Sequence, residues 1–297
     1  MTAKQHVPPV SQPLVSVLTP SYNQARWLGE NLHSVACQTY PRIEHVVMDG
    51  GSTDGSDAVL TAANPPVRWA SEADRGQSHA LNKAFAASSG EIIGWLNSDD
   101  AFWDCRVVED VVAFFEAHPD VDVVYGHSAY VNEDGLLLHF FRVPSYGSGS
   151  LLRRYNYIIQ PSVFVRRRVV GQSLVDESFH FAMDYELWLR LAAGGAKLAR
   201  IDRVLAIDRA QRARKSLNLL DVLETDMRRL AVTYGVAQSK SSRMLTAAHA
   251  VWSRFAGARL VLRLPREFAF TAQVDSAWKV VWRQCFQRRR DMSVGED

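Results

Sequence analysis

Four short apolar runs open this chain, separated by helical stretches, and most of them end in a polar cluster. Leu14-Val15-Ser16-Val17-Leu18-Thr19-Pro20 reads as a buried strand that stops at its proline. Ile43 to Met48 is a second strand, Arg68-Trp69-Ala70 a short third and Glu91 to Leu96 a fourth. Between them, Arg26 to Gln38 has helical spacing with Trp27, Leu28, Leu32, Val35 and Ala36 on one side; a helix follows from Ser56, and another covers Ser78 to Ala87. Strands alternating with helices at this spacing predict a parallel, doubly wound sheet. Ligands of such sheets bind beyond the carboxyl ends of the strands. Three polar clusters fall at those ends: Tyr22-Asn23, Asp49 to Asp54, and Asn97 to Asp100.

Further on, a helix runs from Asp104 to Ala117. Strands are expected at Val121–Tyr125, Pro161–Val165 and Ile201–Ile207. Ala129–Val131 and Leu136–Phe141 form a hairpin around Asn132-Glu133-Asp134-Gly135, and a helix spans Met183–Ala193, stopped by Gly194-Gly195. From Leu217 the pattern is helical and basic. The expected organisation is a disordered lead over 1–13, one α/β domain over 14–216, and a basic helical extension over 217–297.

Charge matters at this boundary. Acidic side chains outnumber basic ones up to Ser216 and the reverse holds after it, although the whole chain is close to neutral at +2. On a helical wheel Arg259, Arg263 and Arg266 share one side, and Trp252, Phe255, Trp278 and Trp282 add amphipathic aromatics. Such helices lie in a lipid interface or pack on another protein surface. No apolar run is long enough to span a bilayer, and the N-terminus does not read as a signal peptide. Cys37, Cys105 and Cys285 are few, odd in number and far apart, so they imply neither a zinc site nor a disulfide framework; a reducing cytoplasm is expected.

Four clusters carry candidate chemistry. Asp99-Asp100 follows an apolar strand, where like charges repel and burial raises their cost. A hard divalent cation, Mg²⁺ or Mn²⁺, relieves both costs by taking carboxylate oxygens together with substrate phosphates; a solvated turn, with one acid capping a following helix, is the alternative. Asp49-Gly50-Gly51-Ser52-Thr53-Asp54-Gly55 lets backbone approach a ligand, or forms an ordinary strand-to-helix turn capped by Ser52 or Asp54. It is neither a dinucleotide fingerprint nor a Walker loop. Asp74-Arg75-Gly76-Gln77 precedes a helix with Asn82 and Lys83; Arg75 and Lys83 suit a diphosphate, or a surface loop. Asp184 opens a helix whose inner face is Leu187, Trp188 and Leu191, either as a general base or as a complement to the helix dipole.

In this order and approximate spacing, over residues 14–216, the clusters resemble the family 2 glycosyltransferases of the GT-A fold. The pieces are Val17 to Asn23, Asp49 to Gly55, Asp74 to Gln77 with Asn82-Lys83, Trp95 to Asp100, and Met183 to Arg190. The resemblance implies a mixed, mainly parallel central sheet and an inverting sugar transfer from a nucleotide-diphosphate donor to an acceptor hydroxyl, with Mn²⁺ or Mg²⁺ as cofactor. It implies that Thr19, Pro20, Tyr22 and Asn23 line the nucleotide pocket, with Asp49 on the base and Ser52 beside it. Arg75 and Lys83 would sit near the nucleotide or sugar. Asp99 would touch ribose or sugar and share the metal with Asp100, and Asp184 would be the catalytic base. The acceptor implied is a glycan or lipid-linked glycan, with peripheral contact at the inner membrane face through the C-terminal helices; nucleic acid is not an expected partner. Two positions depart from the family pattern: Asn97 stands where an aspartate often begins the acidic motif, and Gln211 stands where a metal-binding histidine is often found. In their light a nucleotide-sugar-binding protein without turnover remains an alternative. A sugar-1-phosphate nucleotidyltransferase is another, but it would need a glycine-rich basic loop after the first strand, where this chain has Pro20-Ser21-Tyr22-Asn23.

Overall fold

The computed structural model describes residues 12–146, 149–211, 220–237, 244, 248–249 and 251–253. The elements in chain order are β1 (Val15–Ser21), α1 (Ala25–Ala36), β2 (Ile43–Asp49), α2 (Ser56–Thr61), β3 (Arg68–Ser71), α3 (Gln77–Ala87), β4 (Ile92–Trp95) and β5 (Ala101–Phe102). They continue with α4 (Val107–Ala117), β6 (Val123–Val131), β7 (Leu137–Phe141), α5 (Gly149–Leu152), β8 (Val163–Arg166), α6 (Met183–Ala193), β9 (Leu198–Arg209) and α7 (Leu220–Tyr234). The strands form one sheet in the order β3-β2-β1-β4-β8-β6-β9-β5, with β7 paired to β6.

The first half of this sheet follows from composition. Every residue of β1 is buried. Its side chains alternate between two apolar layers: Leu18 joins Val46, Ile93 and Trp95 under α3 and α6, whereas Val15 and Val17 join Ile92 and Leu96 under α1 and α4. A parallel strand covered by helices on both faces must be apolar on both, so its sequence reads as a run rather than an alternation. Each fully buried Val or Leu here contributes roughly 1.5–3 kcal/mol relative to its exposed state.

β1 continues one residue past Pro20, against the expectation that it stops there. The reason is the register. Leu18 and Pro20 face the β4 side of the ladder, where Leu96 N donates to Leu18 O at 3.0 Å. The next acceptor on that side, the Leu96 carbonyl, takes its hydrogen bond from the Thr19 hydroxyl at 2.8 Å, so the missing proline N–H leaves no gap.

The second half departs further from the doubly wound expectation. β8 runs antiparallel to β4 and β6, β7 antiparallel to β6, and β5 antiparallel to β9, while β6 and β9 are parallel. The expected separate strands at Val121–Tyr125 and Ala129–Val131 are one strand, β6, with register irregularities around His127. Gly126 sits at that irregularity; a Cβ there would meet Leu205 Cγ at 2.6 Å and Arg203 O at 2.7 Å, so only glycine lets β9 approach so closely. β9 is longer than Ile201–Ile207 because pairing with β6 carries Leu198, Ala199 and Arg200 at its start and Asp208 and Arg209 at its end into the strand, the last three despite their polarity. β8 starts at Val163 rather than Pro161, since Gln160–Ser162 forms a 3-10 turn closed by Ser162 Oγ donating to Ile159 O at 2.7 Å.

Of the expected lead only Gln12 and Pro13 are described; the Pro13 carbonyl accepts from Tyr40 Oη at 2.6 Å. The boundary at Ser216, Phe255, Trp278, Trp282, and the arginine row at 259, 263 and 266 lie outside the described residues. The described part of the extension includes α7, whose Leu230 is buried with the core under α6, and His249 and Ser253, which bond the backbone of Arg142. Among the described residues no helix is long and apolar enough to cross a membrane.

Candidate active site

Backbone geometry places a cavity of about 1500 Å³ at the carboxyl ends of β1, β2 and β4. Pro20, Tyr22 and Asn23 line one end, with Gly50, Ala73 and Asp74 beside them. Asn97, Asp99 and Asp100 form the floor, and Asp208 and Gln211 come in from the end of β9. The far wall is the first turn of α6 with Asp184, facing Asn156 and Gln160, and α7 adds Leu223, Glu224 and Met227. Asp99, Asp100 and Asp184 therefore share one crevice, though Asp184 lies more than eighty positions downstream of the other two.

The Asp49–Gly55 loop is held from beneath. The Asp49 carboxylate is 2% exposed and accepts from Gly51 N, Ser52 N, Ser52 Oγ and Ser71 Oγ at 2.5–3.2 Å. Ser52 Oγ in turn accepts from Asn23 N at 2.7 Å, and Asn23 Oδ1 accepts from Thr53 N at 2.9 Å. Asn23 has a positive φ of 53°, a conformation asparagine tolerates and these two bonds fix. Asp54 ties two helix starts together, accepting from Ala25 N at the first residue of α1 and from Ser56 N at the first of α2. Burial pushes its carboxyl up, but the bonds from Ser56 and Ala25 outweigh that and hold it below the usual range. Asp54 thus acts on the α2 start, while the N-cap position itself is Gly55.

The acidic turn is likewise over-determined. Asp100 N donates to Asn97 O at 3.0 Å, closing the turn, and β5 follows it, so neither acid caps a helix. The Asn97 amide is fully used: Oδ1 accepts from Trp95 Nε1 and Gln77 Nε2, both at 2.8 Å, and Nδ2 donates to Gln160 Oε1 at 2.8 Å and Asp100 Oδ2 at 3.2 Å. An aspartate at this position would have nothing to donate to either acceptor. Asp100, 4% exposed, also accepts from Arg209 N at 3.1 Å, and Asp99 Oδ2 accepts from Gln211 Nε2 at 2.5 Å.

Behind the turn lies Arg209, only 2% exposed. Its guanidinium donates to Asp99 O at 3.0 Å, to the carbonyls of Asn132 and Glu133, and to Glu30 Oε2 at 2.5 Å. Burial pushes the Glu30 carboxyl up, and the Arg209 charge opposes that shift. From the α1 side, Asn31 Nδ2 donates to the carbonyls of Asn97 and Asp100 at 2.8 and 3.1 Å.

Asp184 stands in the first turn of α6, whose Leu187, Trp188 and Leu191 are buried as the helical spacing predicts. The helix has no cap from its own N-cap residue, Ala182. The cap comes from α7: Asp226 Oδ2 accepts from His180 N, Phe181 N and Ala182 N at 3.1, 2.8 and 3.0 Å. An anion there satisfies orphan donors and complements the helix dipole. Asn156 Nδ2 approaches Asp184 Oδ2 at 3.4 Å.

Of the residues singled out in sequence, Pro20, Tyr22, Asn23, Asp99, Asp100 and Asp184 line the cavity, and Thr19, Asp49, Ser52, Arg75 and Lys83 do not. Thr19 is buried with its hydroxyl on Leu96 O. Arg75 pairs with Glu177 at 2.7 Å, beside a separate smaller cavity, and its guanidinium holds the Glu177 carboxyl below the usual range. Lys83 pairs with Glu72. The sequence carries no local sign of Gln160, Arg209 or Asp226 as site-building residues, since each acts on a segment far away in the chain.

Among the described residues no group of three or more His, Cys, Asp or Glu side chains is placed to hold a metal ion. Two carboxylates facing a roomy cleft are nevertheless the oxygen-donor set that Mg²⁺ or Mn²⁺ takes when phosphate oxygens and water supply the remaining ligands, so Asp99 and Asp100 suit such an ion.

Comparison with known proteins agrees with this architecture. The model of Glycosyl transferase family 2 matches residues 16–183. An uncharacterized glycosyltransferase of Nostoc sp. is 36% identical over 115 residues, 37% of this chain and 35% of that protein. The chain spans about a third of the length of the curated relatives it first matches. Among solved structures, S. aureus TarS 1–349 in complex with UDP-GlcNAc superposes with a TM-score of 0.60 at 20% identity, covering 85% of this chain and 76% of that one. The mannosyltransferase PcManGT from Pyrobaculum calidifontis, in complex with GDP-Man and Mn²⁺, gives 0.53 at 19% identity, covering 94% and 88%. These likenesses show the GT-A type fold.

Proposed function

The chain belongs to glycosyl transferase family 2, and from that premise we propose that it transfers a sugar from a nucleoside-diphosphate donor to an acceptor hydroxyl with inversion at the anomeric carbon. The observation that carries the proposal is the convergence of Asp99, Asp100 and Asp184 on one cavity. Pro20, Tyr22 and Asn23 receive the nucleoside, on a loop that Asp49, Ser52 and Thr19 support from behind. Arg75 and Lys83 would reach the donor only by leaving Glu177 and Glu72.

Asp99 and Asp100 would hold Mn²⁺ or Mg²⁺, which would supply Lewis-acid relief of the negative charge on the departing diphosphate. Asn97, Arg209 and Gln211 keep the two carboxylates turned to the cleft. Asp184 accepts the proton of the acceptor hydroxyl. The freed oxygen attacks the anomeric carbon from the face opposite the diphosphate, and the electron pair of the broken C–O bond leaves with the nucleoside diphosphate. One displacement inverts the centre, with no covalent sugar–enzyme intermediate. The acceptor is a glycan or lipid-linked glycan, reached on the side of Asn156 and α7.

The test is Asp184→Asn with a panel of UDP- and GDP-sugars. Donor binding in the presence of Mn²⁺ should persist while transfer falls roughly 10²–10⁴-fold. Transfer at the wild-type rate would remove Asp184 as the base. Failure of the intact protein to bind any of these donors would remove the whole reading.

A further inference from the structure

Cys37 and Cys105 are 68 positions apart, yet the fold brings their sulfurs into contact at 2.6 Å. Cys37 closes α1, and Cys105 lies on the connection between β5 and α4. Neither is in a disulfide, and both are only half-buried. The Cys105 thiol donates to Cys37 Sγ, and the Cys37 thiol donates to Ser34 O at 3.6 Å. The two backbones are cross-tied on either side of the pair: Thr39 N donates to Cys105 O, and Gln38 Nε2 to Asp104 O, both at 2.7 Å. The two segments are thus already held side by side, with the sulfurs close to the bond distance of about 2.05 Å.

The geometry points to Cys37 and Cys105 as a redox-active dithiol that takes a low-molecular-weight disulfide of the glutathione-disulfide class as its oxidant. One protein thiolate attacks a sulfur of the oxidant, whose S–S bond breaks, and the first glutathione leaves as a thiolate and takes up the proton. The second protein thiol, on losing its proton, attacks the protein sulfur of the mixed disulfide. The second glutathione leaves the same way. The protein pair has then lost two electrons and two protons, and one oxidant disulfide has become two thiols.

The bond would staple α1 to the segment that carries the acidic turn. α1 and the residue past its C-cap already lace that segment: Asn31 holds the carbonyls of Asn97 and Asp100, Ser34 Oγ accepts from Phe102 N at 3.2 Å, and Gln38 Oε1 accepts from Val108 N at 3.0 Å. A covalent link beside these bonds removes loop-closure entropy from the unfolded chain, so the oxidised protein should melt at a higher temperature.

The full chain should be incubated with glutathione disulfide, its remaining thiols blocked by N-ethylmaleimide, and the product mapped by mass spectrometry. Reactive thiols should fall from three to one, with one Cys37–Cys105 cross-linked peptide that has lost two hydrogens and is restored by a phosphine reductant. In Cys37→Ser, Cys105 should instead retain a glutathione adduct, and the rise in melting temperature on oxidation should vanish. Persistent separate adducts on both cysteines of the wild type would overturn the inference. So would cross-links through Cys285, or two thiols still reduced in the folded protein under conditions that oxidise it in urea.

Discussion

Asn97 Nδ2 donates to Asp100 Oδ2 at 3.2 Å, and that bond accounts for an amide where the family pattern often has an acid. Asn97→Asp would set a third carboxylate against Asp100 and leave Gln160 Oε1 without its donor. Unmet buried polar groups cost about 1–3 kcal/mol. The expected outcome is a fall in kcat/KM of about tenfold or more at neutral pH, measured over a Mn²⁺ titration, with the metal requirement shifted to higher concentration.

Arg209 links the acidic turn to Glu30 and to the carbonyls of Asn132 and Glu133. Arg209→Met removes the charge but keeps much of the volume. It should lower stability by about 3 kcal/mol, because breaking one side of a buried pair leaves the partners unmet. Adding Glu30→Gln should restore part of that loss in urea unfolding; strict additivity of the two changes would mean the pair is not coupled.

Asp226 reaches from α7 to cap the helix that bears Asp184. Asp226→Ala should lower both stability, by about 1–3 kcal/mol, and kcat, with a smaller effect on donor affinity, since Asp226 bonds the segment that leads into the Asp184 helix. A variant with unchanged kcat would separate α6 alignment from catalysis.

His45 Nε2 donates to Thr19 Oγ1 at 2.9 Å, the hydroxyl hydrogen of Thr19 being committed to Leu96 O. Burial pushes the imidazole down to about 3. Its folded value lies below the ordinary histidine value of 6.5, so the unfolded chain binds the proton first on acidification. The stability due to the neutral imidazole is whole above about pH 6.5 and is lost as pH falls from there toward 3, at no more than about 1.4 kcal/mol per unit. Urea unfolding at pH 7.5 and pH 5 should show a smaller difference in His45→Gln than in the wild type.

Much of this was legible in the residues alone, for a local reason. Hydrophobic period and end signals depend on neighbours in the chain, so Met183–Ala193 reads as a helix from its sequence, and the parallel strands β1, β2 and β4 read as apolar runs that end in polar clusters. The acids Asp99, Asp100 and Asp184 stand out by the same logic. What sequence could not supply was partner choice. Whether Asp49 meets a ligand or donors of its own loop and of Ser71 on β3, whether Arg75 faces the cleft or Glu177, and whether β6 continues through Gly126 all depend on which segment lies alongside. The same holds for Asn97 against Gln77 and Gln160, for Asp226 under α6, and for Cys37 against Cys105. A hydrogen bond or a thiol contact is decided over three or four ångströms, and only the packed sheet and its helices bring residues tens of positions apart within that reach.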